Sequence, residues 1–489
     1  MEQIPNFPKN LAYNLKKLSG SVIKQKLRIS SDKSSYTANE IVRVNFPIGR
    51  MLDLRSVVLA AKCSTTFGTS TTMTGTVGNK FPRLGLNSLI EQLQITANGR
   101  ILQNTQMYNY IFNLVADIDG YSSPEQATKR ITELFDPSIT TATTSYDSGV
   151  SSGYAITNSI NSASLDVYYL YVNTWLGFMG GSCSTLDTNN LGQVQLSLTL
   201  APASCCFYTD SAATASSAVA NASYKLEEVD LLVDTITFTN STYYELVKSQ
   251  LESGGLNVAY YDYIATMGNS INKSSTNNLN FSTQINANSL DQVIATFRPT
   301  SYNTSSRLLL GSSSPSQATN LTALLTNPTT AISVNNNHGG FNNTNYFRRD
   351  GTGFKSSQWY INSQPFTQNK NIHEVINNAL QALNYANLDV GSGSFHAGIV
   401  SPHSYGSHYF ADILSLENLS GDNNWWVSGL SGNGGTIQIQ YQASFGSIGD
   451  SGTNSATVFY SGSGYYPVII ARVSKVLNIK MGRLLDVME

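Results

Sequence analysis

The hydrophobic pattern along this chain is short-range and mostly of period two. Val42, Val44, Phe46 and Ile48 alternate with Arg43, Asn45 and Pro47, and Val194, Leu196, Leu198 and Leu200 alternate with Gln193, Gln195, Ser197 and Thr199. Alternation of this kind sends every second side chain to one buried face, which predicts half-buried strands. Leu54 to Cys63 is almost continuously apolar and predicts a strand buried on both faces or central in its sheet. Strand patterns return at 165–176 and 224–238. One stretch departs from the rule. Ile90, Leu93 and Ile95 lead to Asn98-Gly99, a tight-turn pair whose residues tolerate positive φ. Ile101-Leu102 follows, then Gln103-Asn104-Thr105, a polar break able to cap a helix. Tyr108, Ile111, Phe112 and Val115 then recur at helical spacing.

The same succession occurs again near residue 360. Trp359-Tyr360-Ile361 reads as strand, Asn362-Ser363 as the turn, and Pro365-Phe366 stands for Ile101-Leu102. With the turns aligned, Ile372, Val375, Ile376 and Ala379 fall on Tyr108, Ile111, Phe112 and Val115. Other landmarks recur in order: 279–285 answers the first strand, 290–297 the strand from Leu54, Ile437-Ile439-Tyr441 the strand at Val194, and 467–479 the closing strand. The chain therefore reads as a duplicated domain. The expected division is a basic N-terminal arm over 1–35, a first jelly roll over 36–240, a linker helix over 241–256 and a second jelly roll over 257–489. Regularly spaced strands without crossover helices exclude parallel α/β folds and predict an all-β protein, two tandem eight-stranded jelly-roll β-sandwich domains with short flanking helices. Long Ser/Thr- and Ser/Asn-rich loops are expected over 119–163 and 300–352.

Composition supports an extended β surface. Charged residues make up 12% of the 489 residues, about half the share in ordinary soluble proteins, and Ser, Thr, Asn, Gly and Tyr fill the gap. A formal net charge of -2 gives no overall pull toward nucleic acid or membrane. The first residues lack the apolar core of a secretion signal, and no run approaches a membrane-spanning length. The expectation is a soluble protein made inside a cell.

Charge is nevertheless uneven. Lys9, Lys16, Lys17, Lys24, Lys26 and Arg28 crowd the N-terminus among scattered apolar residues. Two readings stand: a solvated arm outside the fold, and an arm that touches something anionic or a neighbouring subunit. Glu227, Glu228, Asp230 and Asp234 concentrate carboxylate on one strand. A weakly held cation at a subunit contact stands there against a plain solvated face. His396, His403 and His408 lie at loop spacings that suit no helix-borne metal site, and Trp425-Trp426 reads either as a sugar-stacking platform or as packing at a contact. Cys63, Cys183, Cys205 and Cys206 form no CxxC pair. No nucleophile elbow or phosphate-binding glycine fingerprint is present. No enzyme activity, cofactor, metal or small-molecule substrate is expected.

FPRLGLNSLIEQLQITANGRILQN, followed by the helix from Met107 to Ile118, resembles the double jelly-roll major capsid proteins of icosahedral double-stranded DNA viruses, of the virophage, polinton-like and tailless-phage type. The repeated landmarks extend the resemblance over residues 36–489. The resemblance implies a structural subunit that forms a homotrimer, a pseudo-hexameric capsomer tiling an icosahedral virion. The long loops would then form an outward crown, and the basic arm would lie on the inner face near membrane, genome or a neighbouring capsomer. Implied partners are neighbouring capsomers, penton and minor capsid proteins. The implied location is the virion, after synthesis in the host cytoplasm or nucleus. The alternative is an extracellular β-sandwich binding protein such as a spike, tail or glycan-binding module.

Overall fold

Alternating side chains need a sheet with one dry face, and the chain supplies four such sheets. The computed structural model describes residues 22–66, 78–79, 85–119, 166–180, 185–205, 208–209, 223–238, 242–271, 278–300, 302, 345–347, 349, 351, 353–382, 410–416, 429–431, 436–445, 465–481 and 484–488. The first half contributes β1 (Val22–Ser30), β2 (Ser35–Thr37), β3 (Ile41–Asn45), β4 (Met51–Thr66), β5 (Gly78–Asn79), β6 (Ile90–Ala97) and β7 (Arg100–Gln106). Helix α1 (Tyr108–Asp119) follows, then β8 (Asp166–Val172), β9 (Thr185–Asp187), a short α2 (Thr188–Leu191), β10 (Val194–Leu200), β11 (Tyr208–Thr209) and β12 (Ser223–Phe238). Helix α3 (Thr242–Ser253) leads into the second half. This holds β13 (Leu256–Met267), β14 (Asn278–Asn286), β15 (Ser289–Pro299), β16 (Phe354–Ile361), β17 (Gln364–Asn369) and α4 (Ile372–Ala382). It closes with β18 (Asp412–Ser415), β19 (Leu430–Ser431), β20 (Thr436–Phe445), β21 (Tyr465–Lys480) and β22 (Leu484–Met488).

In the first half one sheet runs β1-β12-β4-β8 and the other β3-β10-β6-β7. In the second half the sheets run β13-β21-β15-β18 and β14-β20-β16-β17. Read in chain order, the eight strands of each half occupy matching places, so one antiparallel jelly roll is built twice. β2 and β9 extend the first large sheet, β19 and β22 the second, and β5 pairs with β11 as a separate ribbon.

The duplication holds residue by residue around the hairpin. The offset that takes Asn98 to Asn362 also takes the pair Leu93–Thr105 to Ser357–Asn369, and Gln94–Asn104 to Gln358–Gln368. It takes Tyr108, the first residue of α1, to Ile372, the first of α4. Both turns lie in the left-handed region, with φ of 46° and 78° at Asn98 and Gly99 and of 50° and 65° at Asn362 and Ser363. Asn98 N–H donates to Gln193 O at 2.8 Å, and Asn362 N–H to Gln438 O at 2.9 Å. β10 and β20 therefore fill the same place, each with period-two burial. Gln193, Gln195, Gln438 and Gln440 all point away from their cores, as their alternation predicts. Gln195 and Gln440 donate across their own sheets, to Asn45 at 2.9 Å and Asn280 at 2.8 Å. Those two amides are thus engaged within the roll.

Both helices bury three of the four expected positions, Tyr108, Ile111 and Phe112 in α1 and Val375, Ile376 and Ala379 in α4, while Val115 and Ile372 are half-buried against the core. Side chains cap the start of α4. Asn371 Oδ1 accepts from Glu374 N–H at 3.0 Å, and Glu374 Oε2 accepts from Lys370 N–H at 2.6 Å.

Three expectations shift. The segment Val22–Ser30, expected within the arm, is a full edge strand paired with β12 from Val22↔Phe238 to Ser30↔Asp230. Gln103-Asn104-Thr105, expected as a polar break able to cap the helix, is strand in β7. Gln103 and Thr105 are buried there, Gln103 against residues 176–178 and Thr105 against Asp262 of the second roll. Of the loop expected over 300–352, Tyr346, Phe347 and Arg349 are buried against the core and do not stand outward. Most of both long loops, 120–165 and 303–344, lies outside the described residues.

Candidate functional site

A duplicated domain joins its two copies somewhere, and here the joint is polar. β7, at the edge of the first roll, lies against β13, the first strand of the second roll, with the turn Gly177–Gly180 beside them. Tyr260 OH donates to Leu102 O at 2.7 Å, and Phe178 meets the Tyr260 ring edge-on at 5.0 Å. Gln103 Nε2 donates to Thr105 Oγ1 at 2.8 Å and to Leu176 O at 3.2 Å, while its Oε1 accepts from Phe178 N–H at 2.8 Å. Thr105 Oγ1 then donates to Asp262 Oδ1 at 2.8 Å, and Lys475 Nζ stands 3.3 Å from Asp262 Oδ2. Asp262 is only 2% exposed, so its charge is held by the lysine and by hydrogen bonds rather than by water. Gly177 (φ 83°) is required at this point, since a Cβ would come within 2.0 Å of the Gln103 amide.

A second joint lies at the end of β15. Arg298, 1% exposed, has its guanidinium carbon 3.7 Å from the Tyr302 ring centroid, 4.5 Å from Tyr346 and 4.9 Å from Tyr110 of α1. Three electron-rich faces around one desolvated cation favour it electrostatically. Tyr110 OH lies 3.4 Å from Thr296 Oγ1, and Tyr346 OH donates to Glu91 of β6. Burial pushes the Tyr110 and Tyr346 phenols up, so both stay neutral hydrogen-bonding groups. The joint ties a helix and a strand of the first roll to a strand and a loop end of the second.

The counterpart of β7 in the second roll carries none of this polar joint. Thr367 stands where Gln103 stood. Asn369, the counterpart of Thr105, turns inward and donates to Asp412 Oδ1 at 3.0 Å. Phe366, the counterpart of buried Leu102, is 39% exposed.

The residues expected to form a basic arm divide. Lys9, Lys16 and Lys17 lie outside the described residues. Lys24, Lys26 and Arg28 project from one face of β1 and meet the carboxylates of the neighbouring strands. Lys24 Nζ is 3.1 Å from Asp53, Arg28 Nε is 2.9 Å from Asp230, and Lys26 sits opposite Asp234 in the strand register. The acidic strand at 227–234 is thus answered by the basic one. Glu228 adopts φ 51°, which interrupts the ladder, and it points to Lys62 at 3.9 Å. Among the described residues no three His, Cys, Asp or Glu side chains gather as a metal site. Cys63 and Cys205 are buried, and burial pushes the Cys63 thiol pKa up to about 12. His396, His403, His408, Trp425, Trp426, Cys183 and Cys206 lie outside the described residues.

The inter-roll joint escaped sequence reasoning because its partners, such as Thr105 and Asp262, are far apart in the chain. The one legible signal was polar Gln103 and Thr105 inside an otherwise apolar hairpin.

No protein-family model matches this sequence, and no curated protein matches it. Among solved structures, the chain is similar to the VP54 protein of PBCV-1 as fitted into a reconstruction of the virophage Sputnik. The TM-score is 0.57 at 13% identity, with 96% of this chain and 97% of that one covered. It is similar to the Faustovirus major capsid protein at a TM-score of 0.53 and 10% identity, covering 94% and 91% of the two chains. A chain of the Sputnik virophage matches at 0.53 and 11% identity, covering 95% and 88%. This chain shares their double jelly-roll fold over nearly its whole length.

Proposed function

We propose that this chain is a major capsid protein, a structural and non-catalytic subunit that trimerises into pseudo-hexameric capsomers of an icosahedral virion. One observation carries the reading: two rolls of identical strand order meet through different surfaces, β7 of the first and β13 of the second. Such a head-to-tail contact leaves its two halves open at opposite ends of the chain, and repetition around a closed ring satisfies both. Three copies would set six rolls in the ring. The fold shared with viral capsid proteins over nearly the full length supports the same reading. Neighbouring capsomers, penton and minor capsid proteins are the partners of such a tile. Residues 1–21, with Lys9, Lys16 and Lys17 just ahead of β1, are placed by this reading on the inner side, toward membrane or genome. Synthesis would be in the host cytoplasm or nucleus. Multi-angle light scattering of the purified full chain tests the trimer. A mass of three chains is expected, and a monomer across concentrations and ionic strengths would overturn it.

A further inference from the structure

β7 and β17 are copies of one strand, yet their burial differs at two positions. Leu102 and Gln103 are buried, whereas Phe366 is exposed and Thr367 half-buried. What differs is the cover: β13 and the turn Gly177–Gly180 lie over β7, with Tyr260 reaching the Leu102 carbonyl and Phe178 the Gln103 amide, while β17 packs on β16 and α4. An aromatic side chain thus stands in the open at the place that the neighbouring roll covers in the first copy.

The other half of the contact is open as well. β1 holds in the first roll the place of β13 in the second, at the same edge beside the closing strand. On β13, Tyr260 and Asp262 lie opposite Lys475 and Val473, and they are 4% and 2% exposed under β7. On β1, Leu27 and Ile29 lie opposite Val233 and Leu231, which point into the core, so Ile23, Gln25, Leu27 and Ile29 share that inner face. Ile23 is 48% exposed, Gln25 is exposed, and Leu27 and Ile29 are half-buried. Lys24, Lys26 and Arg28 occupy the opposite face, where they meet the acids of the strands beside them. The strand is amphipathic, and among the described residues no second roll lies over its apolar side.

We propose that β17 of one copy of this chain docks on the inner face of β1 of a second copy, with Phe366 against the stripe of Ile23 and Leu27. The intermolecular seam then repeats the β7–β13 contact made within the chain. The proposal rests on the trimer reading above and adds where the trimer closes. The chemistry of the two contacts differs. Inside the chain, Gln103, Thr105, Asp262 and Lys475 form a hydrogen-bonded joint. At the seam, Thr367 replaces Gln103, Asn369 is engaged with Asp412, and the facing side of β1 carries no charge. The seam is therefore an apolar contact between copies, and the trimer should vary little with salt.

The test uses the full chain with the photo-reactive p-benzoylphenylalanine at position 366, followed by peptide mapping of the cross-links. Intermolecular links into residues 22–30 are expected; links confined to the same chain, or to another segment, overturn the proposal. In parallel, Phe366→Glu should weaken trimer formation roughly tenfold or more, as expected for an aromatic anchor at the centre of an interface. Circular dichroism and the thermal midpoint of the dissociated chain should stay unchanged. A wild-type trimer that survives Phe366→Glu would overturn the seam and leave the trimer reading standing. A wild-type chain that is monomeric would overturn both.

Discussion

The two rolls share a backbone frame and fill it with different chemistry. Between the sheets of the first roll lie Leu93, Ile95 and Leu196. The strand registers put Ser357, Trp359 and Tyr441 in the same places of the second. These surround Asp412 of β18, which is fully buried. Tyr441 OH donates to its carboxylate at 2.9 Å, Asn369 Nδ2 at 3.0 Å, Trp359 Nε1 at 3.5 Å, and the Ser357 hydroxyl also donates. Burial raises the carboxyl above the ordinary aspartate range, against the pull of these four donors. The comparison teaches that the jelly roll fixes turn geometry and register, while its interior accepts either a dry packing or a saturated polar cluster. Asp412 pins β18 to three strands of the facing sheet by direction-specific bonds, where the first roll relies on non-directional burial.

The largest effect should come from placing a charge in the dry roll. Leu196→Asp buries an unpaired carboxylate with no donor around it and should abolish folding. Gln195→Asp, one position along on the outer face, should leave a folded chain by circular dichroism. Equal damage from the two would refute the assigned register. Next comes removal of the anchor in the polar roll. Asp412→Ala removes the shared acceptor of four buried donors and should cost about 3 to 5 kcal/mol in denaturant unfolding; a loss below about 1 kcal/mol would mean that the cluster does not hold the sheets together.

A subtler variant sharpens the same point. Because the folded chain holds the Asp412 proton more tightly than the unfolded one, the stability linked to that proton is complete below the ordinary value of 3.8. It is lost as pH rises through the raised value. Asp412→Asn is uncharged at every pH, so the wild type should gain on it as the solution is acidified. Denaturant midpoints of the two proteins at neutral and mildly acidic pH check this, and a constant gap would contradict it.

The smallest effect concerns the turns. Ser363 occupies the left-handed conformation that Gly99 adopts freely, so Ser363→Gly should stabilise, and Gly99→Ser destabilise, each by about 1 kcal/mol. Thermal midpoints that moved in the same direction would show that the two turns are not equivalent.

Much of this frame was readable from residues. Asn98-Gly99 and the stripe after it marked the hairpin and helix, and their echo at Asn362 revealed the duplication, because turn chemistry and helical spacing are local signals. The alternation at Val194–Leu200 gave the sheet face directly. β1 was not readable as a strand. Its lysines and arginine answer acids on β4 and β12, so its outer face resembles a solvated arm, and its inner face is only partly apolar. β13 was missed for a related reason: Asp262 interrupts its apolar face and finds its partners in Thr105 and Lys475. Asp412 gave no sign of burial, since its four donors come from three other strands. Contacts between distant segments decide the polar interior, and beyond Gln103 and Thr105 the local pattern carries no trace of them.

The central claim is that the contact between the rolls repeats from one chain to the next until it closes. Negative-stain class averages of the purified full chain test it most directly. The account predicts a ring of six lobes built from three chains, with alternate lobes equivalent. Two-lobed particles, or rings of any other number of lobes, would contradict it.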